Sequence, residues 1–257
     1  MPHFPTLRRL IHFFAAVAVS AASLAAQAPV PSAVPIPLRD EGHHHLVFEN
    51  SYVHVFFVEI PAHETTLLHH HDLPYISVPP GSGYAARPLS RTAGAPSAPY
   101  TPRVGYSPGN FSHVVTNSSG APLRNVAIEL VRPQGVVRDR CAAILPNQPA
   151  ETCEESSLTA VKPSKHTPLL ETDEILVESW ELGPGAAITL ANDRLDLLVG
   201  GLTDVTITGP PGIDSAHAIR GGLLWVPAGS KPVFTTSTDR GGHFIAITFK
   251  DSVPASH

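Results

Sequence analysis

Apolar residues recur along this chain in short runs, many alternating with polar residues, and proline, glycine and small polar residues separate the runs. A period of two over a few residues predicts strands. Residues 46–60 form the first such run, and within it Tyr52-Val53-His54-Val55-Phe56-Phe57-Val58 is rich in the β-branched and aromatic residues that strands favour. A second run spans residues 67–78, and a third lies within residues 108–117. Residues 49–63 align without a gap against residues 171–185, and Asn125-Val126-Ala127-Ile128-Glu129-Leu130 matches Phe244-Ile245-Ala246-Ile247-Thr248-Phe249 in pattern. One supersecondary unit therefore occurs twice. The two copies meet across residues 131–168, a segment without a sustained strand pattern. Residues 79–102, rich in Pro, Gly, Ser and Ala, predict a long irregular connection. The 27 prolines and 19 glycines exclude a helical architecture, so the class is all-β.

Histidine changes the picture most. In Leu67-Leu68-His69-His70-His71-Asp72 a strand would project His69 and His71 from one face and His70 from the other. His113 falls in a later strand-like stretch that can lie beside the first. Three neutral imidazoles at one point suit a first-row transition metal. His43, His44 and His45 form a second run, read as solvated because it precedes the first strand in a polar turn. Structurally bonded, partly buried histidines are the plainer account of any one of these residues. Arg87, Arg91 and Arg103 lie in or just beyond the irregular connection, where an arginine could meet a substrate carboxylate or simply be solvated. The sequence holds no serine nucleophile elbow, glycine-rich phosphate loop or zincin motif.

The first residues carry Arg8 and Arg9, a short apolar run and then small residues up to Ala28. These are the parts of a secretory signal peptide over residues 1–28, with cleavage expected between Ala25 and Ala28. The apolar run falls short of the ~20 residues of a membrane span. Residues 29–42 then form a Pro-rich leader, and the mature chain is periplasmic or secreted. In an oxidising compartment the two cysteines, Cys141 and Cys153, predict a local disulfide worth ~3 kcal/mol in the chain-entropy model. Two free thiols would be unusual there. A net charge of -5 without a basic cluster past the first residues gives no footprint for nucleic acid.

With these residues in view, the chain resembles the cupin superfamily, specifically a bicupin of two tandem jelly-roll β-barrels. The family's first motif runs glycine, five residues, His-x-His, three or four residues, glutamate, six residues, glycine. The second runs glycine, five residues, Pro-x-Gly-x-x-His and, further on, asparagine. His69 and His71 supply His-x-His, His113 falls at the second motif's histidine, and Pro108 and Asn117 are in register. His63 stands at the first glycine, Tyr75 at the glutamate ligand and Asn110 at the second motif's middle glycine. The resemblance implies an N-terminal barrel over residues 43–135 with a His69, His71 and His113 site for one divalent metal (Zn, Fe, Cu or Ni). Tyr75 would sit near the metal as proton donor or orienter. Residues 136–168 link it to a degenerate C-terminal barrel over residues 169–252. There Ala191 and Asp193 align with the His-x-His pair, and Pro232 stands in the second motif's histidine position. Two functions follow: a metal-dependent enzyme of oxygenase, lyase or isomerase type acting on a small organic molecule, or a non-catalytic ligand-binding or structural module. Dimers are frequent in the family, which extends the expectation to a homodimer.

Overall fold

The computed structural model describes residues 34–80, 87–100, 104–139, 156–158, 164–190, 195–208 and 222–250. The expected signal peptide, both cysteines, Arg103, Ala191 and Asp193 lie outside them. Apart from one 3-10 turn at Leu38–Asp40, every regular element described is a strand. No helix among the described residues is long and apolar enough to cross a membrane.

The internal repeat is visible in the strand pairing. In the first half Val53–Ile60 runs antiparallel to Leu123–Leu130 over eight paired residues, and in the second Ile175–Leu182 does the same with Gly242–Phe249. Both leading strands enter through one kind of turn. Asn50 Oδ1 accepts from the backbone N–H groups of Tyr52 and Val53, and Thr172 Oγ1 accepts from those of Glu174 and Ile175. Both units leave through a left-handed residue, His63 at φ 63° and Gly185 at φ 62°. Glycine meets that geometry without a Cβ penalty, whereas histidine pays one.

Around each central pair a barrel closes. The first has a sheet in the order His44–Glu49, Val53–Ile60, Leu123–Leu130, Tyr75–Val78, Gly105–Ser107, and a small sheet of Ile36–Pro37, His69–His71 and Phe111–His113. A third sheet joins Thr116–Asn117 to a hairpin of Arg87–Ser90 and Ala98–Tyr100, so part of the expected irregular connection is paired strand. The second barrel has a seven-stranded sheet and a three-stranded one. Its Ser164–Glu171 strand begins inside the segment expected to lack strands; Pro168, which cannot donate to a ladder, stands at a register shift there.

Period two sorts the side chains. Val53, Val55, Val126, Ile128 and Ile76 point to a core shared with Ile175, Val177, Leu198 and Ile247 of the second half. The intervening Phe56, Val58, Ile60, Ala127 and Tyr75 point into the first barrel. Burial contributes about 1.5–3 kcal/mol for each large apolar side chain. Exposing half of the shared core would thus cost as much as the ~5–15 kcal/mol net stability of a domain or more, which makes the halves mutually dependent. Gly200 lies at this contact, and a Cβ there would stand 2.6 Å from Leu223 Cδ2.

Candidate metal centre

Alternation along His69–His71 does what the sequence leads one to expect: His69 and His71 are 0% and 2% exposed, whereas His70 faces outward. His70 Nδ1 lies 2.8 Å from Ser112 Oγ, and its Nε2 pairs with Asp72 at 3.4 Å. Asp72 is mostly exposed and belongs to this outer face. Phe111–His113 pairs antiparallel with the same strand, setting His113 directly opposite His69. The turn before it depends on two left-handed residues, Gly109 and Asn110. A Cβ on Gly109 would overlap the Leu73 carbonyl. Asn110 stands at φ 56° and donates its N–H to the His71 carbonyl at 2.6 Å, so asparagine serves where the second motif has its middle glycine. Asn117 anchors the far side: its Nδ2 donates to the carbonyls of Ile60, Pro61 and Ala121.

The structure adds a residue that the sequence reading set aside. His44 is buried and reaches the cluster from the larger sheet, and one ring nitrogen from each of His44, His69 and His71 lies within 4.8 Å of the others. His113 adjoins this trio, its ring centroid 4.6 Å from that of His69 and 5.1 Å from that of His71. The signal for His44 was in its register. It pairs with Val58, whose side chain faces the barrel interior, so His44 is inward while His43 and His45 are not.

Behind the histidines sits Glu41, 2% exposed. His44 Nδ1 donates to Glu41 Oε2 at 2.6 Å, and the Leu67 N–H donates to Oε1 at 3.2 Å. His69 Nδ1 in turn donates to the Leu67 carbonyl at 2.8 Å. One buried carboxylate thus connects two of the imidazoles. Carboxylate and carbonyl only accept, so both Nδ1 atoms carry hydrogen, and a metal would meet these rings at Nε2. His69 Nε2 and His71 Nδ1 are buried with no hydrogen-bond partner among the described residues. Such orphaned groups cost about 1–3 kcal/mol each unless something else engages them.

Electrostatics fixes the protonation. Desolvation, then the neighbouring His113, holds His71 down at about 2, and desolvation, then His69, holds His113 at about 3. Desolvation lowers His69 as well. Burial works against ionisation of Glu41, but hydrogen bonds from His44 and His43 outweigh it and hold the carboxyl well below its ordinary range. The result is three neutral imidazoles, His69, His71 and His113, with an ionised carboxylate behind the cluster. That fits a divalent transition metal, which takes neutral imidazole and is tuned by carboxylates bonded to its ligands. His44, His69 and His71, with His113 beside them, are the residues that would hold it.

Tyr75 stacks on His71, at 4.5 Å between centroids and 25° between planes. Phe111 stacks on the same imidazole at 5.3 Å. Next to the histidines is a cavity of ≈ 70 Å³, reached by His44, His71, His113, Tyr75 and Arg91. In the second barrel the interior is occupied by stacked Trp180, Phe244 and Phe234, and Pro232 is buried.

The fold is that of two cupin-type jelly-roll barrels in tandem, the first with a cluster of histidines able to hold a metal. No family model matches the sequence, and no curated protein matches it. Among solved structures, AerE from Microcystis aeruginosa is similar over 80% of this chain and 91% of its own, at 11% identity and a TM-score of 0.50. A cupin domain from Bordetella pertussis aligns with 34% of this chain and 90% of its own, at 24% identity and a TM-score of 0.29. A pumpkin seed globulin aligns over 79% of this chain and 78% of its own, at 11% identity and a TM-score of 0.45. At these identities the likeness concerns fold alone.

Proposed function

We infer that this is an exported bicupin whose N-terminal barrel binds one divalent transition metal, and that the metal serves oxygenase-, lyase- or isomerase-type chemistry on a small organic molecule. The observation that carries this reading is the convergence of His44, His69 and His71, with two buried nitrogens unpartnered among the described residues, beside a cavity. Imidazole donors suit Zn, Fe, Cu or Ni, and a trio without a carboxylate ligand disfavours manganese. A bound ion of this kind supplies Lewis-acid polarisation or redox chemistry. Within the chain, Tyr75 holds the His71 ring by stacking and has its phenol at the cavity for proton donation or substrate orientation. The basic, apolar and small-residue order of residues 1–28 supports export, which N-terminal sequencing of the mature protein and cell fractionation would test.

Metal content by mass spectrometry tests the centre. One ion per chain in the wild type, lost when His69 and His71 are both changed to alanine and strongly reduced in His44→Ala, is the expected result. Equal metal in all three proteins would sink it. One feature favours a second reading, a structural metal in a non-catalytic module: His113 brings the number of adjoining imidazoles to four, enough to close a tetrahedral shell. Water exchange on the metal separates the readings, because a closed shell has none.

A further inference from the structure

The cavity carries polar groups that metal binding does not use. The wall beside the histidines comes from the inward faces of Val53–Ile60 and Leu123–Leu130, which place Val58, Ile60, Leu123 and Ala127 there. Asn125 interrupts this apolar surface, paired in register with Val58. Its Oδ1 is buried and has no hydrogen-bond partner among the described residues. A leucine of similar size would avoid the ~1–3 kcal/mol cost of an unsatisfied amide, so fold stability gives no reason for asparagine at this position. At the same cavity stands Arg91, exposed, from the turn of the hairpin Arg87–Ser90 and Ala98–Tyr100. Arginine is the side chain suited to hold a carboxylate in two-point contact.

We propose that the cavity binds a small hydroxy acid, with Arg91 holding its carboxylate and Asn125 Oδ1 accepting from its hydroxyl. Size and charge select this class. A cavity of ≈ 70 Å³ holds on the order of five water-sized positions, which limits the ligand to a few heavy atoms. Its described lining contains no Asp or Glu to face an ammonium group, because Glu41 lies behind His44; a hydroxyl therefore fits the acceptor better than a charged amine. The inference rests on the metal reading, since the histidines form the rest of the pocket.

The test is calorimetric titration of the full mature chain, loaded with zinc and with its metal content measured first. The probes are glycolate, acetate and ethylene glycol. Glycolate is expected to bind at least tenfold more tightly than acetate, and ethylene glycol not to bind measurably. Glycolate also chelates metals by itself, so the deciding comparison is Asn125→Leu. That variant should keep its zinc and its melting temperature, or melt higher, while the glycolate preference falls about tenfold, to what chelation alone supplies. Arg91→Ala should weaken glycolate and acetate alike, about tenfold or more. If Asn125→Leu does not fold, Asn125→Asp keeps the shape, adds a charge repelling the acid, and should lose glycolate while retaining zinc. A glycolate preference undiminished in either Asn125 variant, or one zinc per chain with no acid bound, overturns the proposal and leaves the metal centre standing. A chain that takes up no zinc overturns the metal reading beneath it.

Discussion

Changing Glu41 to glutamine separates the carboxylate's charge from its shape. In the native chain Glu41 receives His44 Nδ1 at 2.6 Å, His43 Nδ1 at 3.0 Å and the backbone N–H groups of His43 and Leu67 at 2.9 and 3.2 Å. A hydrogen bond to an ionised group contributes ~1.5–3 kcal/mol and a neutral one ~0.5–1.5. Neutralising the acceptor of His44 alone therefore removes about 1–1.5 kcal/mol, close to tenfold in affinity. The amide could also present N–H to His44 Nδ1, and this would force the imidazole into the tautomer with its lone pair turned away from the centre. Loss of carboxylates bonded to metal ligands elsewhere costs about 10–100-fold in affinity, so Glu41→Gln should weaken metal by that range. Competition against a chromophoric chelator, with zinc or cobalt, measures it, and the visible spectrum of the cobalt form reports any change of geometry. Unchanged affinity and spectrum would refute the link from Glu41 through His44 to the metal.

Three further outcomes test the same architecture. In the metal-free protein His69, His71 and His113 stay neutral on folding, His71 held at about 2 by burial first and then by His113, and His113 at about 3 by burial first and then by His69; the unfolded chain takes up those protons below about pH 6.5, so stability should fall as pH drops from 6.5 towards 3, by up to ~1.4 kcal/mol per pH unit for His71 alone. Glu41, held low, adds to the same trend below its unfolded value of about 4.5, and a flat profile of melting temperature against pH in chelator-treated protein would contradict both. Gly109→Ala puts a Cβ into the Leu73 carbonyl at φ 72°, and the left-handed backbone alone costs about 1–2 kcal/mol, so urea unfolding should show at least that loss, with weaker metal binding. Asn117→Ala strips the donor from three carbonyls and should cost ~2 kcal/mol or more; Asn117→Asp should do no better, because a carboxylate cannot donate, and wild-type stability in either would refute the anchor role.

What the sequence disclosed follows from how far each feature depends on partners distant in the chain. The paired central strands were legible because period two and the β-branched, aromatic composition are local, and because the same unit occurs twice with a left-handed residue after each copy. His69 and His71 were legible for the same reason: three residues of one strand decide which face they share. The hairpin Arg87–Ser90 with Ala98–Tyr100 was not, since its pairing sets Pro88 opposite Pro99, and proline content argues against strands when no partner is known.

His44 marks the boundary between the two kinds of knowledge. By itself it is the middle of three histidines after a polar turn, and composition makes such a run solvated. Its inward direction is decided by pairing with Val58, through a ladder that shifts register between Leu46 and Phe48. Counting alternation back from Phe48 across that irregularity gives no dependable face, since a slip of one residue reverses every side chain beyond it. The carboxylate shows the same dependence. The sequence has no glutamate at the family's ligand position, where Tyr75 stands, and by that measure the site lacks its acid. The fold brings Glu41 instead behind His44 and joins it through Leu67 to His69, so its charge would act on a bound metal through an imidazole. A centre arranged this way would place an ionised carboxylate near the cation while leaving the contacting donors to histidine. That combination favours the imidazole-seeking metals over manganese, and metal identity in the native protein is where it can be read.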